Sequence, residues 1–168
     1  MTRHRIIGFA VALVLFAIDQ AVKAWVVGPL GIDHLGAART ILPVFDIRFV
    51  PNVGVSLGLL PAGSEAMRWG LVALTGVIAA GVVWWILRER NRADVAALGM
   101  VLGGALGNIL DRIRLGYVVD FADLHIGSWQ PFLVFNVADA AITVGVLILL
   151  ARALFVREKP ASRESLNA

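Results

Sequence analysis

Residues 95–112, VAALGMVLGGALGNILDR, decide how this chain folds. The stretch carries no charge until Asp111 and Arg112. Gly99, Gly103 and Gly107 recur every four residues, with Gly104 beside them. Alone, 95–110 is short for a membrane crossing, which needs about 20 mostly apolar residues to cover roughly 30 Å of hydrocarbon, but it extends readily at both ends. Rows of small residues let helix backbones approach closely in lipid, so the segment reads as a spanning helix packed tightly on its neighbours. Its far end is polar: Gly104, Asn108, Asp111 and Arg112 fall on one face at helical spacing.

Working outward, residues 6–27, 69–87 and 136–156 supply three further apolar stretches of spanning length. The composition agrees. The 168 residues are 59% hydrophobic and 16% charged, whereas an ordinary soluble domain has about 45–50% apolar and about 25% charged residues. The expected fold is mainly α and integral to the membrane, a four-transmembrane-helix bundle in which residues 1–168 form a single membrane-embedded domain. The absence of cysteine excludes disulfides, thiolate nucleophiles and Cys-ligated zinc. The net charge of +3 points to basic cytoplasmic ends and not to nucleic acid. Arg3 and Arg5 precede the first span, and Arg88, Arg90 and Arg92 sit between the second and third. Arg152, Arg157, Lys159 and Arg163 end or follow the fourth. The positive-inside rule then puts both termini in the cytoplasm, with 157–168 as a polar tail. The first span is not read as a cleaved leader, because its apolar region is too long and Asp19 and Lys23 interrupt it.

Two connections, 28–68 and 112–135, fall outside. The first is long for a plain loop. Phe45, Ile47 and Phe49 alternate with Asp46 and Arg48, which is a strand pattern. Pro51, Asn52, Val53 and Gly54 punctuate it, and an apolar run at 55–60 follows. Residues 117–121 are a second extended candidate. Together they predict a small β-sheet on the outer membrane surface, and Gly116 and Gly127 give the connections freedom to move.

Ionisable groups inside a span cost about 2.5–3.5 kcal/mol each on insertion scales, so every one is a candidate for function. Asp19 and Lys23 lie one helical turn apart on one face, as a structural ion pair or as contacts to reacting groups. Asn136, Asp139 and Thr143 share a face at the start of the fourth span, where Asn136 also suits a helix N-cap. With Asp120 between the third and fourth spans, one side of the bilayer gathers Asp19, Lys23, Asn108, Asp111, Arg112, Asp120, Asn136 and Asp139. Two carboxylates brought close share a proton: one activates water as a base and the other polarises a carbonyl as an acid. His4, His34 and His125 are scattered, with no metal-ligand spacing. A serine–lysine pair would need Ser56 beside Lys23, and no motif supports it. A proton-coupled carrier would place ionisable groups at several depths, and a non-catalytic scaffold would use the polar cluster for packing only.

The chain resembles the bacterial lipoprotein signal peptidases (signal peptidase II) over nearly its whole length. The resemblance rests on Asp19-Gln20 with Lys23, on Asn52-Val53-Gly54, and on residues 103–112 (GGALGNILDR) with 116–121 (GYVVDF). It is completed by Phe135-Asn136-Val137-Ala138-Asp139 with Ile142 and Gly145. It implies a peptidase domain with four spans in the bacterial inner membrane, its active site toward the outer face. Such an enzyme is an aspartic endopeptidase that cuts diacylglyceryl-modified prolipoproteins before the lipid-bearing cysteine. The resemblance puts the catalytic pair on Asp120 and Asp139. Asn52, Gly54, Asn108, Arg112 and Asn136 fall on positions around the active site and substrate, and Asp19, Lys23 and Asp111 on supporting ones. It implies no cofactor and no metal; the partners are the prolipoprotein and membrane lipids, and a monomer suffices. Arg112 is the expected ligand for a backbone carbonyl or the organiser of the loop. Two departures stand out: Val55-Ser56 where a small residue and an aromatic are usual, and Ala140 where serine is common.

Overall fold

The computed structural model describes residues 3–54 and 64–155. The apolar run at 55–60, the Val55-Ser56 departure and the tail at 157–168 lie outside the described residues. Four helices dominate: α1 (Arg3–Val27), α2 (Glu65–Arg88), α3 (Arg92–Leu115) and α4 (Val137–Phe155). All four are long and apolar enough to cross a membrane; at 1.5 Å per residue, the 24 residues of α3 reach about 36 Å. α2 and α3 outrun their apolar stretches because polar caps carry them further. The Ser64 side chain accepts from the Met67 N–H at 3.2 Å. Asn91 accepts from the Ala93 N–H at 2.9 Å, and Gly116, at φ +87°, closes α3 in the left-handed conformation that favours glycine.

α3 is the core helix. In its most apolar window 56% of residues are buried, against 17–22% in the other three. The glycine row explains this. A Cβ at Gly103 would stand 2.5 Å from the Ala12 carbonyl oxygen of α1, and one at Gly107 would stand 2.5 Å from Asp19 Oδ2. Any larger residue would push α1 away. Elsewhere the helices keep their apolar side chains outside: Leu74, Val77 and Trp84 of α2, and Leu147, Leu150 and Leu154 of α4, are exposed. Continuous apolar surface on this scale is a liability in water and the ordinary surface of a helix among lipid tails. The chain is a multi-pass membrane protein.

Strands β1 (Ala38–Leu42), β2 (Phe45–Asn52) and β3 (Val118–Leu124) form one antiparallel sheet in the order β1-β2-β3. Asp46 lies opposite Asp123 and Val50 opposite Asp120, with an irregularity between Ile47 and Val50. Phe135 covers the free edge of β3, donating to the Ala122 carbonyl at 3.1 Å and accepting from its N–H at 2.8 Å. β3 is therefore buried along nearly its whole length. Val26 and Ile32 pack with Ile47, Phe49, Val119 and Phe121, fastening the sheet to the end of α1. The strand read at 45–49 is present and runs on to Asn52, and the extended run read at 117–121 is present as β3, which starts one residue later at Val118 and continues to Leu124. β1 is an addition: its five residues are all exposed, so no alternation marks it.

Candidate active site

α3 and α1 end, and α4 begins, beside the sheet, so this end of the bundle must satisfy many backbone N–H and C=O groups. The start of α4 does so with acidic side chains. Asn136 is the N-cap: its Oδ1 accepts from the Asp139 N–H at 2.9 Å, and Asp139 Oδ2 accepts in return from the Asn136 N–H at 3.2 Å. That reciprocal pair is a capping box. The next free N–H, of Ala138, donates to Asp19 Oδ1 at 2.9 Å, so α1 pins the start of α4.

Three amides then hold two carboxylates. Asn136 Nδ2 donates to Asp120 Oδ1 at 2.6 Å, and Asn52 Nδ2 to Asp120 Oδ2 at 2.9 Å. Asn108 Nδ2 donates to Asp139 Oδ1 at 2.8 Å. Each amide is oriented by an unambiguous donor on its oxygen: the Asp139 N–H for Asn136, the Gly54 N–H at 2.8 Å for Asn52, and the Lys23 ammonium at 3.2 Å for Asn108. Gly54 makes the Asn52 turn possible, since its φ of +93° suits only glycine without strain. Asp120 is 2% exposed and Asp139 half-buried. Burial pushes the Asp120 carboxyl up to about 6; the charge of Asp139 adds to this, and the amides of Asn52 and Asn136 oppose it.

Beneath the amides lies an ionic layer. Lys23, 4% exposed, reaches Asp19 Oδ2 and Asp111 Oδ2, each at 2.8 Å. With Asn108, these partners take all three of its N–H bonds. Asp111 Oδ2 also accepts from the Val119 N–H at 3.2 Å, tying α3 to β3. Gln20 bridges the two acids from the side, at 3.1 Å to Asp19 Oδ2 and 3.0 Å to Asp111 Oδ1.

The structure thus brings Asp19, Lys23, Asn52, Gly54, Asn108, Asp111, Asp120, Asn136 and Asp139 into one connected network. Arg112 lies at the edge of this network. Its Nη1 donates only to the Asn108 carbonyl of its own helix at 3.4 Å, and its Nε has no protein partner among the described residues. Its guanidinium lies within electrostatic reach of Asp139, Asp120 and Asp111. The last turn of α3 is held by Arg68 of α2, whose Nε and Nη2 donate to the Arg112 and Ile113 carbonyls, each at 2.7 Å. Arg68 goes unnoticed in the sequence because its partners are backbone oxygens 44 and 45 residues away. Thr143 lines an apolar pocket with Asp139, Ala140 and Val144 of α4 and with Leu124, Pro131, Phe132, Leu133 and Phe135.

Four apolar helices closing on amide-bridged carboxylates beneath a small sheet define a helical membrane protein with a buried acidic centre at one end. Comparison with known proteins narrows the class. The chain belongs to the signal peptidase (SPase) II family, whose profile matches residues 11–155, and is a peptidase by that membership. It is 57% identical over 165 residues to the lipoprotein signal peptidase of Rhizorhabdus wittichii, covering 98% of this chain and 95% of that protein. It is 50% identical over 152 residues to that of Sphingopyxis alaskensis, covering 90% and 87%. A bacterial membrane enzyme structure obtained by the in meso method at 2.3 Å resolution aligns with a TM-score of 0.73 and 27% identity over 92% of this chain and 93% of that one.

Proposed function

We propose that this chain is a single-domain aspartic endopeptidase of the bacterial inner membrane. It removes the signal peptide from diacylglyceryl-modified prolipoproteins by cutting before the lipidated cysteine. The observation that carries the reading is Asn136, whose backbone N–H donates to the Asp139 carboxylate and whose side-chain amide donates to the Asp120 carboxylate, so that one residue holds two acids from different elements in one frame. Asp120, buried and with its carboxyl raised to about 6, is the member that keeps the shared proton and polarises the scissile carbonyl. Asp139 faces the apolar pocket and takes a proton from the attacking water. Asn52, Asn108 and Asn136 keep the carboxylates aligned, and Asp19, Lys23 and Asp111 support the amides from below. The arginines at 88, 90, 92 and 152 lie at the end of the bundle away from the sheet. That distribution supports cytoplasmic termini and a site at the outer face, where a lipid-anchored peptide emerges. The enzyme works as a monomer among membrane lipids, without cofactor or nucleic acid.

The test is cleavage of a purified diacylglyceryl-prolipoprotein in detergent by the wild type, Asp120→Asn and Asp139→Asn. A general acid or base contributes about 10²–10⁴-fold. Each variant is therefore expected to lose at least about a hundredfold in kcat while remaining folded. Turnover by either variant at the wild-type rate removes the dyad and leaves only the peptidase.

A further inference from the structure

On the side of α3 away from Asp139, a groove follows the seam between α1 and α3. Its apolar part, about 450 Å³, is lined by Phe9, Leu13 and Phe16 of α1 and by Leu102, Leu106 and Leu110 of α3, among others. Leu106 stands two positions on from Gly104, which abuts Ala138 of α4, and Leu110 two positions on from Asn108, which bonds Asp139. Two positions turn a helical side chain by about 200°, so the body of α3 separates the groove from Asp139. A second recess of about 260 Å³ continues it at the sheet end, with Gln20, Lys23, Asp111 and Arg114 among its walls. The two are in line. Along α1 the lining runs Phe9, Leu13, Phe16, Gln20 and Ala24, and along α3 it runs Leu102, Leu106, Leu110 and Arg114, each three or four residues from the last.

Arg114 is the member of this lining that the protein leaves unmatched. At the same end of the bundle, Arg48 donates to the buried Asp123 at 3.0 Å and Arg68 to the α3 carbonyls. Arg114 is exposed, and no acceptor among the described residues bonds its guanidinium. It stands at the mouth of an apolar groove, open to an anion from outside the protein. Length decides what lies below that anion. The 12 positions from Leu102 to Arg114 span about 18 Å, close to half of the roughly 30 Å of hydrocarbon in a bilayer. Beyond that the groove is closed by α2, whose Ala79 and Ile86 pack with Ala12, Val95 and Leu98. A spanning peptide needs the full thickness, whereas the acyl chain of one leaflet needs half. The exposed Trp25, next to Ala24 at the mouth, is of the residue type enriched at the level of lipid headgroups.

We propose that this groove binds one phospholipid of the leaflet at the sheet end, with an acyl chain between α1 and α3 and its phosphate on Arg114. A guanidinium and a phosphate form a bidentate, charge-assisted pair, and the apolar walls are matched by a hydrocarbon chain. The bound headgroup covers the recess that opens onto Gln20, Lys23 and Asp111, and so closes the buried ionic layer from behind. Water admitted there would weaken those ion pairs by raising the local dielectric, so the lipid stabilises the folded chain without touching Asp120 or Asp139. The proposal stands apart from the dyad reading and does not depend on it.

The experiment uses the full chain, delipidated in dodecyl maltoside, and native mass spectrometry with dioleoylphosphatidylglycerol or with dioleoylglycerol, which has the chains but no phosphate. Arg114→Gln removes the charge and Leu106→Trp fills the groove. For the wild type, one phosphatidylglycerol is expected to bind about tenfold more tightly than dioleoylglycerol and to raise the unfolding temperature. Arg114→Gln should weaken phosphatidylglycerol by about five- to tenfold and leave dioleoylglycerol within about twofold, while Leu106→Trp should weaken both. Arg114 is exposed, so Arg114→Gln keeps the test alive if Leu106→Trp does not fold. Equal phosphatidylglycerol affinity in the wild type and Arg114→Gln overturns the proposal. So does dioleoylglycerol binding as tightly as phosphatidylglycerol, which would make the groove a site for an uncharged diacylglyceryl group. Weakening by Arg114→Gln with none by a folded Leu106→Trp also overturns it, because the headgroup would then sit on the surface with no chain in the groove.

Discussion

Both ends of the helix bundle pair acids with bases, but in different ways. At the end away from the sheet, Arg152 of α4 bonds Asp94 in the first turn of α3, with both side chains partly exposed. Beside them the Asn91 and Arg90 N–H groups hold the Glu89 carboxyl below the usual range. Each contact there ends a helix or joins two, and water reaches it. At the sheet end, Asp19, Lys23, Asp111, Asp120 and Asn136 are all buried, and most of their polar atoms serve two neighbours. An exposed ion pair contributes at most about 1 kcal/mol. Removing one partner of a buried pair costs about 3–5 kcal/mol, because a charge is left without water or counter-charge. The same residue types therefore act as replaceable fasteners at one end and as an indivisible unit at the other.

The sharpest way to break that contrast is Lys23→Met. It leaves Asp19 and Asp111 facing each other and frees the amide of Asn108 to turn. The expected result is a loss of about 3–5 kcal/mol in denaturant unfolding, together with a fall in kcat beyond what a folded fraction explains. Adding Asp111→Asn should restore part of the stability but not the rate. A Lys23→Met protein with wild-type stability would mean that the buried layer is no more coupled than the exposed one.

A smaller effect comes from pH. Because the Asp120 carboxyl is raised, from 3.8 to about 6, the proton it contributes is present below that value and lost above it. kcat should fall as pH rises through about 6, by about tenfold per unit beyond it. This group's contribution to stability is full below pH 3.8 and disappears over the same rise. A rate profile flat from pH 5 to 8 would place the shared proton elsewhere. The smallest effect belongs to the far end: Asp94→Asn should cost less than about 1 kcal/mol and leave cleavage within twofold. A large loss of activity there would erase the distinction between the ends.

Much of this architecture is legible in the sequence because lipid imposes simple rules. Apolar length gives the four helices, and the four-residue glycine spacing singles out α3 as the helix others approach most closely. The spacing of Asn136 and Asp139 is already that of a capping box, and the gathering of polar residues at one end is visible without coordinates. What stays hidden has a physical cause in each case. β1 is exposed along its length, so no period marks it. Arg68 acts on carbonyl oxygens, which every residue possesses. Asp123 sits on a strand buried on both faces, where alternation no longer separates inward from outward, and so it is overshadowed by Asp120. Arg112 shares a helical face with Asn108 and Asp111, but sequence spacing does not say that its one hydrogen bond among the described residues stays on its own helix.

The bond from the Ala138 N–H to Asp19 bears on biosynthesis as well as on geometry. Asp19 belongs to the first helix made and Ala138 to the last, and the same few atoms that start α4 also align Asp139. A nascent chain that has inserted only its first three helices holds Asp120 without its counterpart. On the proposed dyad, proteolytic competence arrives with the final helix. The arrangement would then act as an assembly interlock, keeping an unfinished protease inert in a membrane crowded with other chains still being inserted.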